Sequence, residues 1–301
     1  MPIVDRLSDL IGNTPTLRLS HLAPRGVELF AKAEFLNPGG SIKDRPMREI
    51  LDAAEARGEL QPGGVLLEAT SGNTGISLAM LCAERGYSCV LVMPEDMSME
   101  RRRILRAYGA RVELTARERG MAGAVARARE IAATLGEGQA LMTRQFENLD
   151  NPNAHEKTTA LEILRDLDGK LDVLIGGVGT GGSLMGTARG LRKRLPNLKV
   201  IAVEPQKAQA LQDLPFQPHS IQGIGAGFVP AVVKRDEIDA VVAVYDDDAL
   251  QMAVRLAQGH GLLVGPSSGA NLWAALQEAQ HAPAGTRILT FFCDSGERYL
   301  D

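Results

Sequence analysis

The chain is poor in the features that would tie it to an oxidising compartment, a membrane or a polyanion. It has three cysteines in 301 residues, Cys82, Cys89 and Cys293. Their odd number, apolar surroundings and lack of metal-ligand spacing argue against a disulfide framework or zinc site, and they read as reduced core thiols. No apolar run reaches the roughly 20 residues that a bilayer-spanning helix needs. Met1 to Thr14 carries Asp5 and Asp9 where a signal peptide would be apolar, so the expected location is the cytoplasm. A net charge of −4 and a pI near 5.8 leave no basic footprint for nucleic acid or an anionic membrane. Repeats, low-complexity tracts and linkers are also missing, so composition marks no domain boundary. Chemistry on a small molecule is the default that remains.

What the chain does have is alternation. Val65–Ala69, Cys89–Met93, Arg111–Thr115, Leu171–Ile175, Lys199–Val203, Ala240–Tyr245 and Arg287–Phe292 read as strands. Residues 74–85, 98–108, 184–195 and 246–260 have helical periods. Such alternation predicts an α/β fold of buried, mainly parallel sheets covered by helices. The length suits about two domains and a large core.

Three loops carry the chemistry. Lys43 stands in Pro38-Gly-Gly-Ser-Ile-Lys-Asp-Arg45, behind two glycines and ahead of a helical pattern. A desolvated lysine there can form an imine, and the glycines let a flat ligand lie against the backbone. Thr70-Ser-Gly-Asn-Thr-Gly75 joins a strand to a helix, and its free N–H groups and hydroxyls suit a carboxylate. Gly176-Gly-Val-Gly-Thr-Gly-Gly-Ser183 makes a second such junction and offers N–H donors to a phosphate. Imine lysine, carboxylate loop and phosphate cup together describe a site for pyridoxal phosphate and an amino acid.

A rival reading uses only the last loop. Gly177, Gly179 and Gly182 follow a strand with dinucleotide-fingerprint spacing, and Glu204 ends the next strand about 20 residues on. A nicotinamide-dependent oxidoreductase would have no use for Lys43 or for Thr70 to Gly75. Asp246-Asp-Asp248 reads as the acidic start of a helix and not as metal ligands. Arg101-Arg-Arg103 reads as a solvated helix face, and His155 as a packing histidine.

The motifs also have a familiar order. Ile11-Gly-Asn-Thr-Pro15, the lysine motif, Thr70 to Gly75, Gly179 to Ser183, Gln222-Gly-Ile-Gly-Ala-Gly-Phe228, Gly265-Pro-Ser-Ser-Gly-Ala270 and Ser295-Gly-Glu-Arg-Tyr-Leu300 follow one another along the chain. In this the sequence resembles the cysteine synthases, the O-acetylserine sulfhydrylases among fold-type II pyridoxal-phosphate enzymes. That resemblance implies two three-layer α/β/α domains like those of the tryptophan synthase β chain. A smaller, mobile substrate domain of residues 36–146 would be inserted into a larger, cofactor-anchoring one of 1–35 and 147–301.

By the same resemblance Lys43 is the imine lysine and the catalytic base, and Asn73 bonds the ring's phenolic oxygen. Gly179, Thr180, Gly181, Gly182 and Ser183 hold the phosphate, and Ser267 faces the pyridine nitrogen, with Ser295 as the alternative. A neutral hydroxyl there favours β-elimination over transamination. Thr70, Ser71, Gly72, Thr74 and Gln145 hold the substrate carboxylate, and no metal takes part. The implied reaction is ping-pong β-replacement, turning O-acetyl-L-serine and sulfide into L-cysteine through an aminoacrylate. An O-phosphoserine enzyme needs an arginine for the dianion, and Gln222 to Phe228 offers none. Cystathionine β-synthase, an O-phosphoserine sulfhydrylase and a non-catalytic binding homologue are the alternatives. A homodimer and a docked serine acetyltransferase are the implied partners. Many relatives continue beyond the point matching Tyr299-Leu-Asp301, which bears on the expected dimer contacts.

Overall fold

The structure, a computed structural model, describes residues 3–70, 72–135 and 139–300. In chain order its strands and helices are β1 (Thr16–Arg18), β2 (Glu28–Ala33), α1 (Asp44–Ala56), β3 (Val65–Ala69), α2 (Asn73–Arg85), β4 (Ser88–Pro94), α3 (Met99–Ala107), β5 (Arg111–Thr115), α4 (Gly120–Leu135) and β6 (Ala140–Met142). They continue as α5 (Asp150–Ala154), α6 (Ala160–Asp166), β7 (Val173–Gly177), α7 (Gly182–Arg192), β8 (Lys199–Pro205), β9 (Ala240–Val244), α8 (Asp246–His260), α9 (Pro266–His281) and β10 (Arg287–Phe292).

The strands form two sheets. One has six strands in the order β1-β2-β10-β7-β8-β9, parallel except for β1, and the other has four in the order β5-β4-β3-β6, all parallel. Parallel strands buried on both faces should read as unbroken apolar runs, and they do: Leu174, Ile175 and Val200 to Val203 are sealed from solvent. Two apolar clusters flank the larger sheet, one beneath α9 and one beneath α7. Two more flank the smaller, where α1 contributes a stripe of Met47, Ile50, Leu51 and Ala54 at helical spacing.

Two readings from sequence shift in register. The strand expected at 171–175 is Val173–Gly177, because Leu171 packs under the sheet with Ile163 and Leu167. The helix expected from Leu184 begins at Gly182, which puts the end of the glycine loop inside its first turn.

β2 is the element that patterning conceals. Lys32 is its next-to-last residue, wholly buried, and pairs with Glu162 at 3.0 Å and Asp166 at 3.1 Å. Beside it Arg45, also buried, reaches Glu34 at 2.7 Å, Glu162 at 2.6 Å and the Thr14 hydroxyl at 3.1 Å. Both acids come from outside α1. Glu162 sits on α6, which continues α5 through a single π-helical turn, His155–Thr159. The Asp246 carboxylate at the start of α8 pairs with Lys207 at 3.0 Å. Among the described residues no cluster of three or more candidate metal ligands forms, and no helix is long and apolar enough to cross a membrane.

Candidate active site

Parallel strands carry their C-terminal ends to one side, where ligand sites of open α/β sheets lie. Here β3 ends at Ala69, β7 at Gly177 and β10 at Phe292. The loops that follow surround a cavity of about 250 Å³. Of the residues expected from sequence, Lys43, Thr70, Gly72, Asn73, Thr74, Gln145, Gly179 and Thr180 line it. Ser71 lies outside the described residues. Gly181, Gly182 and Ser183 continue the loop from Thr180 into α7.

Lys43 is the last residue before α1, and its loop is pinned to the end of β10. The Ile42 N–H donates to the Cys293 carbonyl at 2.8 Å, and Ser41 forms a backbone bridge with Asp294. Asp44 turns its carboxylate back onto the Gly39 N–H at 2.6 Å and accepts from the Ser77 hydroxyl. A Cβ on Gly39 would stand 2.4 Å from that carboxylate, so this turn needs glycine. Burial holds the Lys43 amine below the usual lysine range, against the opposing charges of Cys293 and Asp294. The side chain is thus a desolvated amine at the cavity wall.

The β3–α2 junction is tied to the turn between β6 and α5. The Thr74 hydroxyl donates to Gln145 Oε1 at 2.7 Å, and both side chains are buried. Asn73 donates to Asp294 at 2.6 Å and accepts from Arg298. Asn73 and Thr74 at the start of α2 line the cavity, as do Gly179 and Thr180 on the approach to α7, and a helix start carries N–H groups without partners inside the helix.

The β7–α7 loop is pared to backbone. A Cβ on Gly179 would stand 2.1 Å from the Gly223 carbonyl oxygen, and one on Gly182 would stand 1.9 Å from Asn151 Oδ1. Gly181 has φ +81°. Asn151 from α5 supports this loop, donating to the Thr180 hydroxyl at 3.0 Å and to the Gln145 carbonyl at 2.7 Å. Asn151 was not singled out from sequence.

Ser267, in the first turn of α9, is buried beneath Gly223, with its hydroxyl 3.8 Å from where a Gly223 Cβ would stand. Ser295 instead spends its backbone on Gly40 and Val264. Cys293 is a free, half-buried cysteine whose thiol burial pushes up to about 12. His155 is buried and meets Thr159 Oγ1 at 2.9 Å, in keeping with a packing role.

Two sequence readings change here. Arg101 does not belong to a solvated face: it lines the cavity, donates to Gln222 at 2.9 Å and lies 5.5 Å from the Tyr299 ring centre. Ridge position on a charged helix could not show this, because the partner segment is more than a hundred residues away. The mouth therefore has an arginine after all, supplied by α3 and not by Gln222 to Phe228. The dinucleotide alternative also weakens, since the Glu204 carboxylate accepts from the Leu211 N–H at 3.0 Å and serves the turn that follows β8.

The glycine cradle at a helix start fits a phosphate, and the desolvated amine fits an aldehyde. Comparison with known proteins decides the rest. Residues 7–294 match the family model for pyridoxal-phosphate dependent enzymes. The chain is 47% identical to cysteine synthase B of Campylobacter jejuni over 300 residues, covering 100% of this chain and 98% of that protein. The chain belongs to the cysteine synthase family of pyridoxal-phosphate enzymes. Solved structures agree on the architecture. O-acetylserine sulfhydrylase of Entamoeba histolytica superposes with a TM-score of 0.96 at 37% identity, covering 100% of this chain and 90% of that one. An O-ureido-L-serine synthase gives 0.95 at 42% identity, covering 100% and 94%. Its cofactor is thus pyridoxal phosphate, and its fold is fold-type II.

Proposed function

We propose that this enzyme makes L-cysteine from O-acetyl-L-serine and sulfide by β-replacement. The observation that carries the reading is convergence: Lys43, the Thr70–Thr74 loop with Gln145, and the glycine loop meet at one cavity. Identity to proteins named cysteine synthase over almost the whole chain supports the same substrates.

Pyridoxal phosphate, when bound, supplies an electron sink that acidifies the α-proton and lets the β-substituent leave. The chain's own residues do the rest. Gly179 to Ser183 hold the phosphate with backbone N–H groups and hydroxyls. Asn73 would bond the phenolic oxygen, and Ser267 would face the pyridine nitrogen with a group that cannot protonate it. Thr70, Ser71, Gly72 and Thr74, with Gln145, hold the substrate carboxylate. Lys43 Nζ takes the α-proton and later returns it. A half-buried lysine whose amine is desolvated, with its pKa lowered, is suited to that exchange, because more of it is neutral at working pH.

The two sheets act as a larger body, 1–35 and 147–301, and a smaller one, 36–146. Substrate carboxylate sits on the smaller and cofactor phosphate on the larger, so amino-acid binding draws them together and shields the reacting carbon. Small-angle scattering with and without a bound amino acid tests this; an unchanged cleft, with the substrate contacts already formed, rules it out. The protein works in the cytoplasm as a homodimer, a reading supported by its unpaired cysteines and by exposed Leu36, Leu149 and Leu161. A serine acetyltransferase is the partner to assay, and size exclusion of the two proteins together would reveal it.

The deciding experiment is a steady-state comparison of O-acetylserine, O-phosphoserine and serine, each against sulfide, thiosulfate and homocysteine. The expected result is the highest kcat/KM for O-acetylserine with sulfide. Preference for O-phosphoserine would instead give Arg101 the dianion, and preference for homocysteine would make the enzyme a cystathionine synthase.

A further inference from the structure

Asn73 is held by both ends of its amide. Its Nδ2 donates to Asp294 Oδ2 at 2.6 Å, while its Oδ1 accepts from Arg298 Nη1. Turned over, the amide would set its oxygen against a carboxylate and its NH2 against a guanidinium, so the two charged partners select one orientation. An amide NH2 has two protons, and Asp294 takes one. The other lies within reach of the Tyr299 hydroxyl and of the cavity, whose wall Asn73 shares with Tyr299 and Lys43, so a bound ligand would compete with Tyr299 for it.

Asp294 is itself well fixed. It follows β10, is buried, and its Oδ2 also accepts from the Tyr299 hydroxyl. Its backbone bridges to Ser41, two residues before Lys43, so the carboxylate is referenced to the same loop as the reacting amine. Space for it depends on Gly265, where a Cβ would stand 2.3 Å from Asp294 Oδ1. Arg298 adds a second tie, since it also donates to the Gly39 carbonyl in the lysine loop.

We propose that Asp294 is a positioning residue for the cofactor: together with Arg298 it locks the Asn73 amide so that an N–H, and not the carbonyl, meets the phenolic oxygen of bound pyridoxal phosphate. The inference rests on the contact assigned to Asn73 above. A donor at that oxygen stabilises the phenolate form of the cofactor, which absorbs in the visible. An acceptor there favours the phenol, which absorbs in the near ultraviolet.

The test is a titration of the apoprotein with pyridoxal phosphate, followed by absorbance and without substrate, so sulfur chemistry plays no part. Four proteins are compared: wild type, Asp294→Asn, Asn73→Ala and the double variant. Asp294→Asn should lower the ratio of visible to near-ultraviolet absorbance and weaken cofactor affinity roughly tenfold, as for loss of a charge-assisted hydrogen bond. In the Asn73→Ala background the same change should have no further effect, because a residue that acts through another is silent once the other is gone. A folded Asp294→Asn protein with wild-type spectrum and affinity overturns the proposal, as does an undiminished effect in the Asn73→Ala background. If Asn73→Ala alone leaves the spectrum unchanged, the assignment of Asn73 falls first and takes this inference with it. Should Asp294→Asn not fold, Arg298→Gln puts the same question from the other end of the amide and is judged by the same two criteria.

Discussion

Behind Lys43 the protein buries charges that it neutralises itself, whereas in front of it the polar groups face a cavity. The rear network joins Arg45 to Glu34 and Glu162, and Lys32 to Glu162 and Asp166, with three of these side chains fully sealed from water. The front holds Lys43, Asn73, Thr74 and Gln145 beside the start of α2 and the glycine loop. The difference separates two tasks within three residues of sequence. Lys43 is free to change its bonding because Arg45, two residues on, cannot change its own. Buried ion pairs of this kind add little net stability over apolar packing, but breaking one by removing a partner is costly.

Substitutions on the two sides should therefore fail in different ways. Lys43→Ala should lower turnover by roughly 10⁴-fold, the upper range for loss of a positioned base. Its midpoint of urea unfolding should stay near that of wild type. A variant as unstable as one of the rear network would erase the distinction drawn here. Arg45→Met should do the reverse. Leaving Glu34 and Glu162 buried without their partner should cost about 3–5 kcal/mol of folding stability, read from urea unfolding with the slope unchanged.

Thr74→Ala tests the front more gently. It removes a hydroxyl that bonds Gln145 here and would turn to the substrate carboxylate when an amino acid binds, and should weaken amino-acid capture by about 1.5–3 kcal/mol. Cofactor affinity should not move. Equal loss of both would mean that the loop belongs to the cofactor.

The smallest effect is a slope with pH, and it sharpens the same contrast. Burial lowers the His155 pKa to about 3, and that side chain stands in the rear network's field. Burial raises Glu162, but its hydrogen bond to Arg45 and the charges of Arg45 and Lys32 outweigh burial and bring it to about 2. Both folded values lie below the unfolded ones, so both groups contribute stability above their unfolded pKa. That contribution is lost on acidification, from about 6.5 towards about 3 for His155 and from about 4.5 towards about 2 for Glu162. Asp44, raised by burial to about 6, has the opposite sign and loses its contribution as pH rises through that value. His155→Gln should flatten the upper part of the acid limb in unfolding measured across pH; an unchanged slope would show that His155 does not titrate on unfolding.

Much of the front was legible in the sequence, and little of the rear. β3, β5, β10 and α8 run over the residues that their patterns predict, and glycines mark the loops because backbone must come close there. The rear network is invisible to such reasoning. Glu34, Arg45 and Glu162 look like surface charges locally, and only the fold, which brings 45 and 162 together, shows that they are buried. Lys32 hides β2 in the same way, by breaking an apolar run with a charge whose partners lie on α6. Arg101 was misread for a related cause: a run of three arginines has one solvated appearance, but its first member points across the cleft.

The π-helical turn at His155–Thr159 adds a constraint on chain length. It separates Asn151, which supports the glycine loop, from Glu162, which holds Arg45. In a regular helix each residue added or removed rotates everything beyond it by roughly 100° about the axis. The wide turn accommodates one extra residue and so sets the angle between those two duties. A single-residue deletion from 155 to 159 would leave Asn151, Glu162 and their partners in the sequence, yet swing one end of the helix off its target. In this stretch the number of residues matters as much as their identity, because it sets where the two ends of the helix point.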